Sequence, residues 1–169
     1  MLLALARQVG QILKDNGLKL VSAESCTGGW IGQIVTAVPG SSAWYDRGFI
    51  TYSNLSKQQM LHVQPQTLAR FGAVSEQTAR EMVQGALAAS QAQIAVSVTG
   101  IAGPAGDSAE KPVGTVCFAW LLKNLSISTA SSRTCYFSGD RAAVRRQSVA
   151  VALQGILELL KNSAPVNLA

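Results

Sequence analysis

The sequence predicts an α/β protein, a three-layer α/β/α sandwich on a mixed sheet of parallel and antiparallel strands. Segments with apolar residues at helical spacing alternate with short runs of β-branched and aromatic residues over the first hundred positions. Two longer β-rich runs then follow each other around Lys123-Asn124, as in an antiparallel hairpin. Alternating strands and helices are typical of a parallel sheet covered on both faces, and the late hairpin makes the sheet mixed.

Each element follows from a local pattern. Residues 2–16 carry apolar residues at helical spacing, and Asn16-Gly17 ends that pattern as a C-cap does. Ser75 is expected to cap one helix, and Ser138 or Asp140 the last one. The further helices are predicted at residues 30–38, 54–71 (broken at Pro65), 75–90 and 139–161, and the strands at residues 18–23, 43–53, 94–99, 115–122 and 126–137, with a Gly/Pro loop at 100–114.

Length and composition indicate one domain. The chain has 169 residues, of which 48% are hydrophobic and 14% charged, so it can bury a sizeable core. We expect a single domain over residues 1–161 and a frayed tail over 162–169. Fourteen Lys and Arg against nine Asp and Glu leave a net charge of +5, which suits a small anionic ligand. This excess is too modest and too scattered to predict nucleic-acid binding.

The cysteine and histidine content excludes several kinds of site. Three cysteines, none at CxxC spacing, cannot form a closed disulfide framework, and a single histidine argues against a His-rich zinc site. No stretch approaches 18 uninterrupted apolar residues, so no membrane span is expected, and we expect no membrane partner. Arg7 and Lys14 interrupt the apolar start, which is unlike a signal peptide. We therefore expect a cytoplasmic protein.

The segment Glu24-Ser25-Cys26-Thr27-Gly28-Gly29, between a predicted strand and a predicted helix, is the first candidate site. Unpaired N–H groups at a helix start attract anions, and two glycines let a ligand approach the backbone. A serine here can act as a nucleophile whose oxyanion the following amides hold. The residues alone equally allow Ser25 or Thr27 to be a helix cap and the glycines to form only a turn. Neither a Walker A loop nor a Gly-x-Ser-x-Gly motif is present.

A second candidate segment runs from Tyr52 to Lys57 at the end of a predicted strand. A lysine acts as a general base only when neutral, and desolvation lowers its pKa. Lys57 has apolar and aromatic neighbours in the sequence, which favours such an environment. The alternative is that Lys57 is an ordinary solvated lysine and Tyr52 a core residue with a solvated hydroxyl group.

Two further segments are suited to ligand binding. Thr99 ends a β-rich run that leads into the glycine-rich loop 100–106, and open α/β sheets bind ligands beyond the carboxyl ends of their strands. Arg141 and Arg145 are four residues apart on a predicted helix, so they share a face and can hold a phosphate together. A polar surface loop and a solvated basic helix start are the alternatives.

These segments resemble the C-terminal domain family of the competence/damage-inducible protein CinA, whose stand-alone members are nicotinamide-nucleotide amidohydrolases. The similarity covers nearly the whole chain, in several long motifs in the right order. The matching motifs are Ala23-Glu24-Ser25-Cys26-Thr27-Gly28-Gly29, Pro39-Gly40-Ser41-Ser42, Gly48-Phe49-Ile50-Thr51-Tyr52-Ser53-Asn54 with Lys57, Gly72-Ala73-Val74-Ser75, Thr99-Gly100-Ile101-Ala102-Gly103-Pro104, Glu110-Lys111-Pro112-Val113-Gly114-Thr115-Val116, and Gly139-Asp140-Arg141 with Arg145.

The resemblance implies hydrolysis of the carboxamide of nicotinamide mononucleotide to nicotinate mononucleotide and ammonia. It implies a metal-free reaction without an organic cofactor, and a homodimer or higher homo-oligomer. The implied catalytic residues are Ser25, Lys57, Tyr52, Ser42 (as a second candidate nucleophile) and Thr99. The implied substrate-binding residues are Glu24, Cys26, Thr27, Gly28, Gly29, Asn54, Gly100, Gly103, Arg141 and Arg145. A non-catalytic nucleotide-binding module or a regulatory partner domain is the alternative, because the family also includes fused and inactive members.

Two positions depart from the family pattern. Glycine is usual in the family where this chain has His62 and Asp107. We expect both residues to lie near the site and to affect how the substrate fits.

Overall fold

The computed structural model describes residues 1–106, 111–123 and 128–162. Asp107, Glu110 and the tail beyond Asn162 therefore lie outside the described residues. The elements in chain order are α1 (Leu2–Asp15), β1 (Leu20–Glu24), α2 (Trp30–Thr36), a 3₁₀ turn (Ser41–Ala43), β2 (Tyr45–Ile50), α3 (Asn54–Leu61), α4 (Pro65–Phe71), α5 (Glu76–Ala88), β3 (Ile94–Gly100), β4 (Thr115–Lys123), β5 (Ser128–Tyr136) and α6 (Arg141–Asn162).

The strands form one mixed sheet in the order β2-β1-β3-β4-β5. Strands β1, β2 and β3 are parallel, whereas β4 is antiparallel to β3 and β5 is antiparallel to β4. Glu24 at the end of β1 is in register with Ile50 of β2 and Val98 of β3. The carboxyl ends of the three parallel strands therefore meet at one edge of the sheet, where an open α/β fold binds its ligands.

Helices cover both faces of the sheet, so the predicted α/β/α sandwich is confirmed. Helices α1, α2 and α6 pack on one face, and α3, α4 and α5 form the other layer. Side chains along β3 alternate between the two faces of the sheet. Val96 and Val98 belong to the apolar cluster on the α6 side. Ala95 belongs to the cluster on the other side, where Ser97 donates a hydrogen bond to Ala79 O of α5. A strand buried on both faces is typically rich in apolar residues throughout, as this segment is apart from Ser97 and Thr99.

Side-chain caps fix two helix starts. Ser75 Oγ accepts the Thr78 N–H at the start of α5, as predicted. Asp140 Oδ1 accepts the Ala143 N–H at the start of α6, so Asp140 rather than Ser138 is the cap and the helix begins at Arg141 instead of residue 139. At its other end α6 includes Asn162, which the sequence analysis had assigned to the frayed tail.

Candidate active site

Ser25 and Lys57 form a buried pair at the carboxyl ends of the parallel strands. Lys57 Nζ donates hydrogen bonds to Ser25 Oγ at 3.0 Å and to Thr51 O at 2.8 Å. Ser25 is 7% exposed and Lys57 only 1%. Burial lowers the pKa of Lys57 to about 8, so about a tenth of this lysine is neutral at pH 7 and the fraction rises steeply above that pH. This geometry is that of a serine nucleophile beside a lysine base.

Local structure explains why Lys57 reaches Ser25. A capping box of Ser53 and Ser56 starts α3 directly after β2, which puts Lys57 in the first turns of that helix. The Thr51 N–H donates to Glu24 O at 2.8 Å and joins the ends of β2 and β1. The lysine side chain therefore extends toward the segment that follows β1.

A cavity of about 220 Å³ opens beside this pair and brings together segments that are far apart in the sequence. Its cationic lining groups are Lys57 and Arg141, and no carboxylate lines it among the described residues. The lining consists of Ser25, Cys26, Tyr52, Asn54, Lys57, Ala73, Val74, Thr99, Gly100, Ala102 and Arg141. A larger cavity of about 380 Å³ between α5 and β5 contains Glu76 and Arg80 but neither member of the Ser25–Lys57 pair.

Arg141 spans the mouth of the cavity. Its Nη1 donates to Gly103 O at 2.7 Å and its Nη2 donates to the Tyr52 hydroxyl oxygen at 2.8 Å. Tyr52 is 60% exposed, so it lies at the rim and is not the core residue of the alternative interpretation. Thr99 is buried in the wall, where its hydroxyl donates to Ala73 O at 2.8 Å.

Glu24 was expected to bind the substrate, but the structure places its carboxylate inside the protein. Its carboxylate is 1% exposed and accepts from the Thr27 hydroxyl at 2.7 Å. It also accepts the N–H groups of Gly29, Ile31 and Gly32 at 3.1, 3.0 and 2.9 Å. Glu24 therefore caps α2 from within the protein. Because it takes these amides, the start of α2 is not open to an anionic ligand.

This arrangement also limits which amides can hold an oxyanion. The Gly28 N–H donates to Ser25 O at 3.0 Å, and the Gly29 N–H belongs to Glu24. Within the described part of the chain, the remaining donors of the loop are the Cys26 N–H, which contacts its own thiol, and the Thr27 N–H. Gly28 and Gly29 have φ values of 60° and 93°, so they supply the left-handed turn, and neither of them lines the cavity.

Cys26 lines the cavity but is not suited to be a nucleophile. Burial raises the pKa of its thiol to about 12, so the thiolate is scarce at neutral pH.

Arg145 does not join Arg141 in a shared anion site. Its Nε donates to Cys26 O at 3.1 Å and its Nη2 to Thr27 O at 2.8 Å, while its guanidinium lies 5.5 Å from the Trp30 ring centroid. These contacts direct it toward the loop that carries Ser25, and it is absent from the cavity lining. The expected two-arginine clamp is therefore replaced by two arginines with separate contacts.

Ser42 and His62 lie away from the cavity. Ser42 is exposed in the 3₁₀ turn before β2, and the register of β2 with β1 puts this turn at the opposite end of the parallel strands from Ser25. His62 is the C-cap of α3, with a φ of 56°, and lines a different cavity with Glu81. A left-handed C-cap is the position where glycine is favoured, which agrees with the glycine that the family pattern leads us to expect there.

Thr51 is a residue of this site that the sequence analysis did not single out. Its carbonyl accepts from Lys57, while its own hydroxyl is fully buried and has no hydrogen-bond partner among the described residues. Its position at the carboxyl end of a predicted parallel strand was the available signal.

A family model for the CinA C-terminal domain matches residues 2–160. The chain belongs to the CinA C-terminal domain family. It is 56% identical over 153 residues to the nicotinamide-nucleotide amidohydrolase PncC of Escherichia coli K12, covering 90% of this chain and 91% of that protein. The PncC of Pseudomonas putida is 48% identical over 155 residues, covering 92% and 94%.

A solved structure of the CinA family has the same fold. The competence damage-inducible protein A from Klebsiella pneumoniae superposes with a TM-score of 0.91 at 36% identity, covering 96% of this chain and 99% of that one. In the part of this chain that the structure describes, no helix is long and apolar enough to cross a membrane. Among the same residues, no group of three or more His, Cys, Asp and Glu side chains is placed to hold a metal ion.

Proposed function

We propose that this protein is a nicotinamide-nucleotide amidohydrolase that converts nicotinamide mononucleotide and water to nicotinate mononucleotide and ammonia. The observation that carries the proposal is the 3.0 Å contact between Lys57 Nζ and Ser25 Oγ beside a cavity. The 56% identity to an amidohydrolase of this name over most of both chains supports the substrate class.

In the proposed reaction, Ser25 Oγ attacks the carboxamide carbon and neutral Lys57 accepts the serine proton. A neutral amine keeps one lone pair, and the Thr51 carbonyl accepts one of its N–H groups, which leaves that lone pair for the Ser25 hydroxyl. Lys57, or Tyr52 as a relay at the rim, then protonates the leaving nitrogen, which departs as ammonia. Water hydrolyses the acyl-enzyme, with Lys57 again as the base, and regenerates Ser25.

The oxyanion of the tetrahedral intermediate is held by the backbone N–H groups of Cys26 and Thr27. They are the donors of the loop that neither Glu24 nor a backbone carbonyl takes among the described residues. The N–H that follows the nucleophile has this role in serine hydrolases of the nucleophile-elbow type. One such donor is typically worth about 3–4 kcal/mol in the transition state.

The charges of the cavity favour a substrate that carries a phosphate. Arg141 lines it with a positive charge even when Lys57 is neutral, and no carboxylate among the described residues lines it. Arg141 is exposed at the mouth, so a phosphate can replace its contacts with Gly103 O and the Tyr52 hydroxyl. The pyridinium cation of the substrate keeps Lys57 neutral, because like charges disfavour each other. The reaction requires no metal ion.

We further propose that the protein works as a homodimer in the cytoplasm, without nucleic acid. Three large apolar side chains near the cavity, Ile50, Tyr52 and Leu55, are 52%, 60% and 59% exposed, which is the kind of surface that a second copy covers. Light scattering is expected to give the mass of a dimer, and Leu55→Glu to shift it toward the monomer. A monomeric mass for the wild type at micromolar concentration would contradict the dimer.

The decisive experiment is ammonia release from nicotinamide mononucleotide by the wild type, Ser25→Ala and the matched variant Ser42→Ala, each with and without a chelator. We expect chelator-resistant release that is lost in Ser25→Ala and kept in Ser42→Ala. Mass spectrometry of quenched wild type should map an acyl group to Ser25. If the folded wild type binds the mononucleotide but releases no ammonia, the protein is instead a non-catalytic nucleotide-binding module.

A further inference from the structure

Arg141 and Arg145 lie one turn apart on α6, yet their guanidinium groups contact different parts of the site. Arg141 faces the cavity and is exposed at its mouth. Arg145 is half-buried and donates to two consecutive backbone carbonyls, those of Cys26 and Thr27. The two arginines therefore act on different partners, although their spacing suggests a shared one.

The contacts of Arg145 determine how the peptide groups after Ser25 are oriented. A peptide bond is planar and trans, so its carbonyl and its N–H point in opposite directions. The carbonyl of Cys26 points to Arg145 Nε at 3.1 Å, and the Thr27 N–H of the same peptide group must point away from the guanidinium. The second contact, at 2.8 Å from Nη2 to Thr27 O, fixes the next peptide group in the same way.

The loop is thus held from two sides by opposite charges. The Glu24 carboxylate accepts from the amides of Gly29, Ile31 and Gly32, whereas Arg145 donates to carbonyls. A side chain at Gly28 would lie 3.5 Å from Arg145 Nη2, so the guanidinium packs closely along the loop. The Cys26 and Thr27 N–H groups remain as the donors that neither charged side chain holds.

We propose that Arg145 is a positioning residue that orients the Thr27 N–H, one of the two oxyanion donors next to Ser25, while Arg141 alone binds the anionic group of the substrate. This inference rests on the proposed amidohydrolase function. Arg145 does not touch the substrate, and its contribution appears in the chemical step. A planar guanidinium suits this task because two separate nitrogens reach the two carbonyls in a fixed geometry, whereas a lysine would have to reach both from a single nitrogen on a flexible chain.

The test compares four variants on one helix by steady-state ammonia release from nicotinamide mononucleotide. Arg145→Met is expected to lower kcat about 100-fold with KM changed by less than about threefold, as a misplacement of about 1 Å does. Arg145→Lys should recover only part of the loss. Arg141→Met should mainly raise KM. Arg146→Met changes an exposed arginine next to Arg145 and serves as the control with wild-type kinetics.

A second measurement separates this inference from the proposed function. A neutral fluorophosphonate forms a bond from phosphorus to Ser25 Oγ as fluoride leaves and the serine proton passes to Lys57, and it carries no anionic group for Arg141. Labelling of Ser25, followed by mass spectrometry, should be slowed in Arg145→Met and unchanged in Arg141→Met. If the wild type is labelled but does not hydrolyse the mononucleotide, the substrate proposal fails while the positioning role still stands on the labelling rates.

Three results would overturn the positioning role. One is a raised KM with unchanged kcat in Arg145→Met, which would make Arg145 a substrate ligand. Another is full kcat in Arg145→Lys, which decides the question if Arg145→Met fails to fold. The third is an unchanged rate of Ser25 labelling in a folded Arg145 variant.

Discussion

Glu24 and Lys57 are equally buried, at 1% exposure each, but their surroundings differ. The Glu24 carboxylate accepts four hydrogen bonds, one from a hydroxyl and three from backbone amides. Lys57 has two hydrogen-bond acceptors, a hydroxyl and a carbonyl, and no salt bridge to a carboxylate among the described residues. The difference shows which buried charge serves the fold and which is available for chemistry.

The physical reason is the cost of removing a charge from water. A buried charge is retained at low cost only when hydrogen bonds replace its hydration, as they do for Glu24. A buried ammonium without a counter-ion lowers its pKa instead and becomes a base. The pKa of Lys57 accordingly falls from 10.5 to about 8 through desolvation. The following predictions test this contrast.

The largest expected effect is on turnover in Lys57→Met. Loss of the base should reduce ammonia release by about 10⁴-fold. At pH 7 the lysine is mostly protonated in both the folded and the unfolded state, and burial makes its charge costly in the folded state. Removing the charge stabilises the protein, while losing the two hydrogen bonds of Lys57 destabilises it. The net gain in the free energy of unfolding should be on the order of 1–2 kcal/mol. Chemical denaturation and the ammonia assay measure the two effects, with exposed Lys14→Met as the control. Wild-type turnover in Lys57→Met would remove Lys57 from the mechanism.

The stability gain has a defined pH window. Because the folded-state pKa is below the unfolded one, the destabilisation by Lys57 is fully present below about pH 8 and is lost as the pH rises to 10.5. The gap in unfolding free energy between Lys57→Met and the wild type should therefore narrow over that interval.

Glu24→Gln should cause the next largest effect, and on stability first. The glutamine amide is similar in size to the carboxylate, but its NH₂ group would face the N–H and O–H donors that now bind Glu24. The charge-assisted hydrogen bonds of the carboxylate are lost as well. We expect the free energy of unfolding to fall by about 3 kcal/mol. Urea denaturation measures this, with Glu158→Gln as a matched control at an exposed ion pair with Arg133, where the change should stay within about 0.5 kcal/mol. Equal effects in both variants would contradict the structural role of Glu24.

The pH dependence of turnover tests whether Lys57 acts as a neutral base. Since the base must be neutral, kcat/KM should fall tenfold per pH unit below the pKa of about 8 and level off above it. The kcat profile should show a lower pKa, because the bound pyridinium further disfavours the ammonium. Initial rates of ammonia release from pH 6 to 10 provide both profiles. A flat kcat/KM profile between pH 6 and 9 would exclude a lysine base with this pKa.

The smallest expected effect is at His62, at the far end of the helix that carries Lys57. Its φ of 56° is a left-handed conformation that glycine adopts without strain. His62→Gly should raise the free energy of unfolding by about 0.5 kcal/mol, because relief of strain exceeds the added freedom of the unfolded chain. Thermal unfolding detects this, and kcat and KM should stay unchanged. A changed KM would mean that His62 influences the site after all.

Much of the fold was predictable because its signals are local. Apolar residues recur every 3.6 positions in the helices and every second position in half-buried strands, and this pattern predicts the layers. The caps at Ser75 and Asp140 mark two helix starts, and the hairpin in the second half of the chain makes the sheet mixed. The ends of elements were less predictable. The strand expected over 43–53 is shortened to Tyr45–Ile50 because a 3₁₀ turn and a helix cap occupy its two ends.

At the site, the sequence by itself determined which segments carry the chemistry, because glycines, strand ends and family motifs are read directly from the chain. Only the tertiary structure decided what each side chain does. Glu24 turned inward to cap α2, Arg145 held a loop, and Ser42 lay at the other end of the strands. The roles of Glu24 and Arg145 depend on hydrogen-bond partners up to 7 and 119 positions away, respectively, for the contacts named here, and on burial. Lys57 became a candidate base for the same reason, because its burial in the folded protein, and not the lysine itself, removes water from its ammonium group.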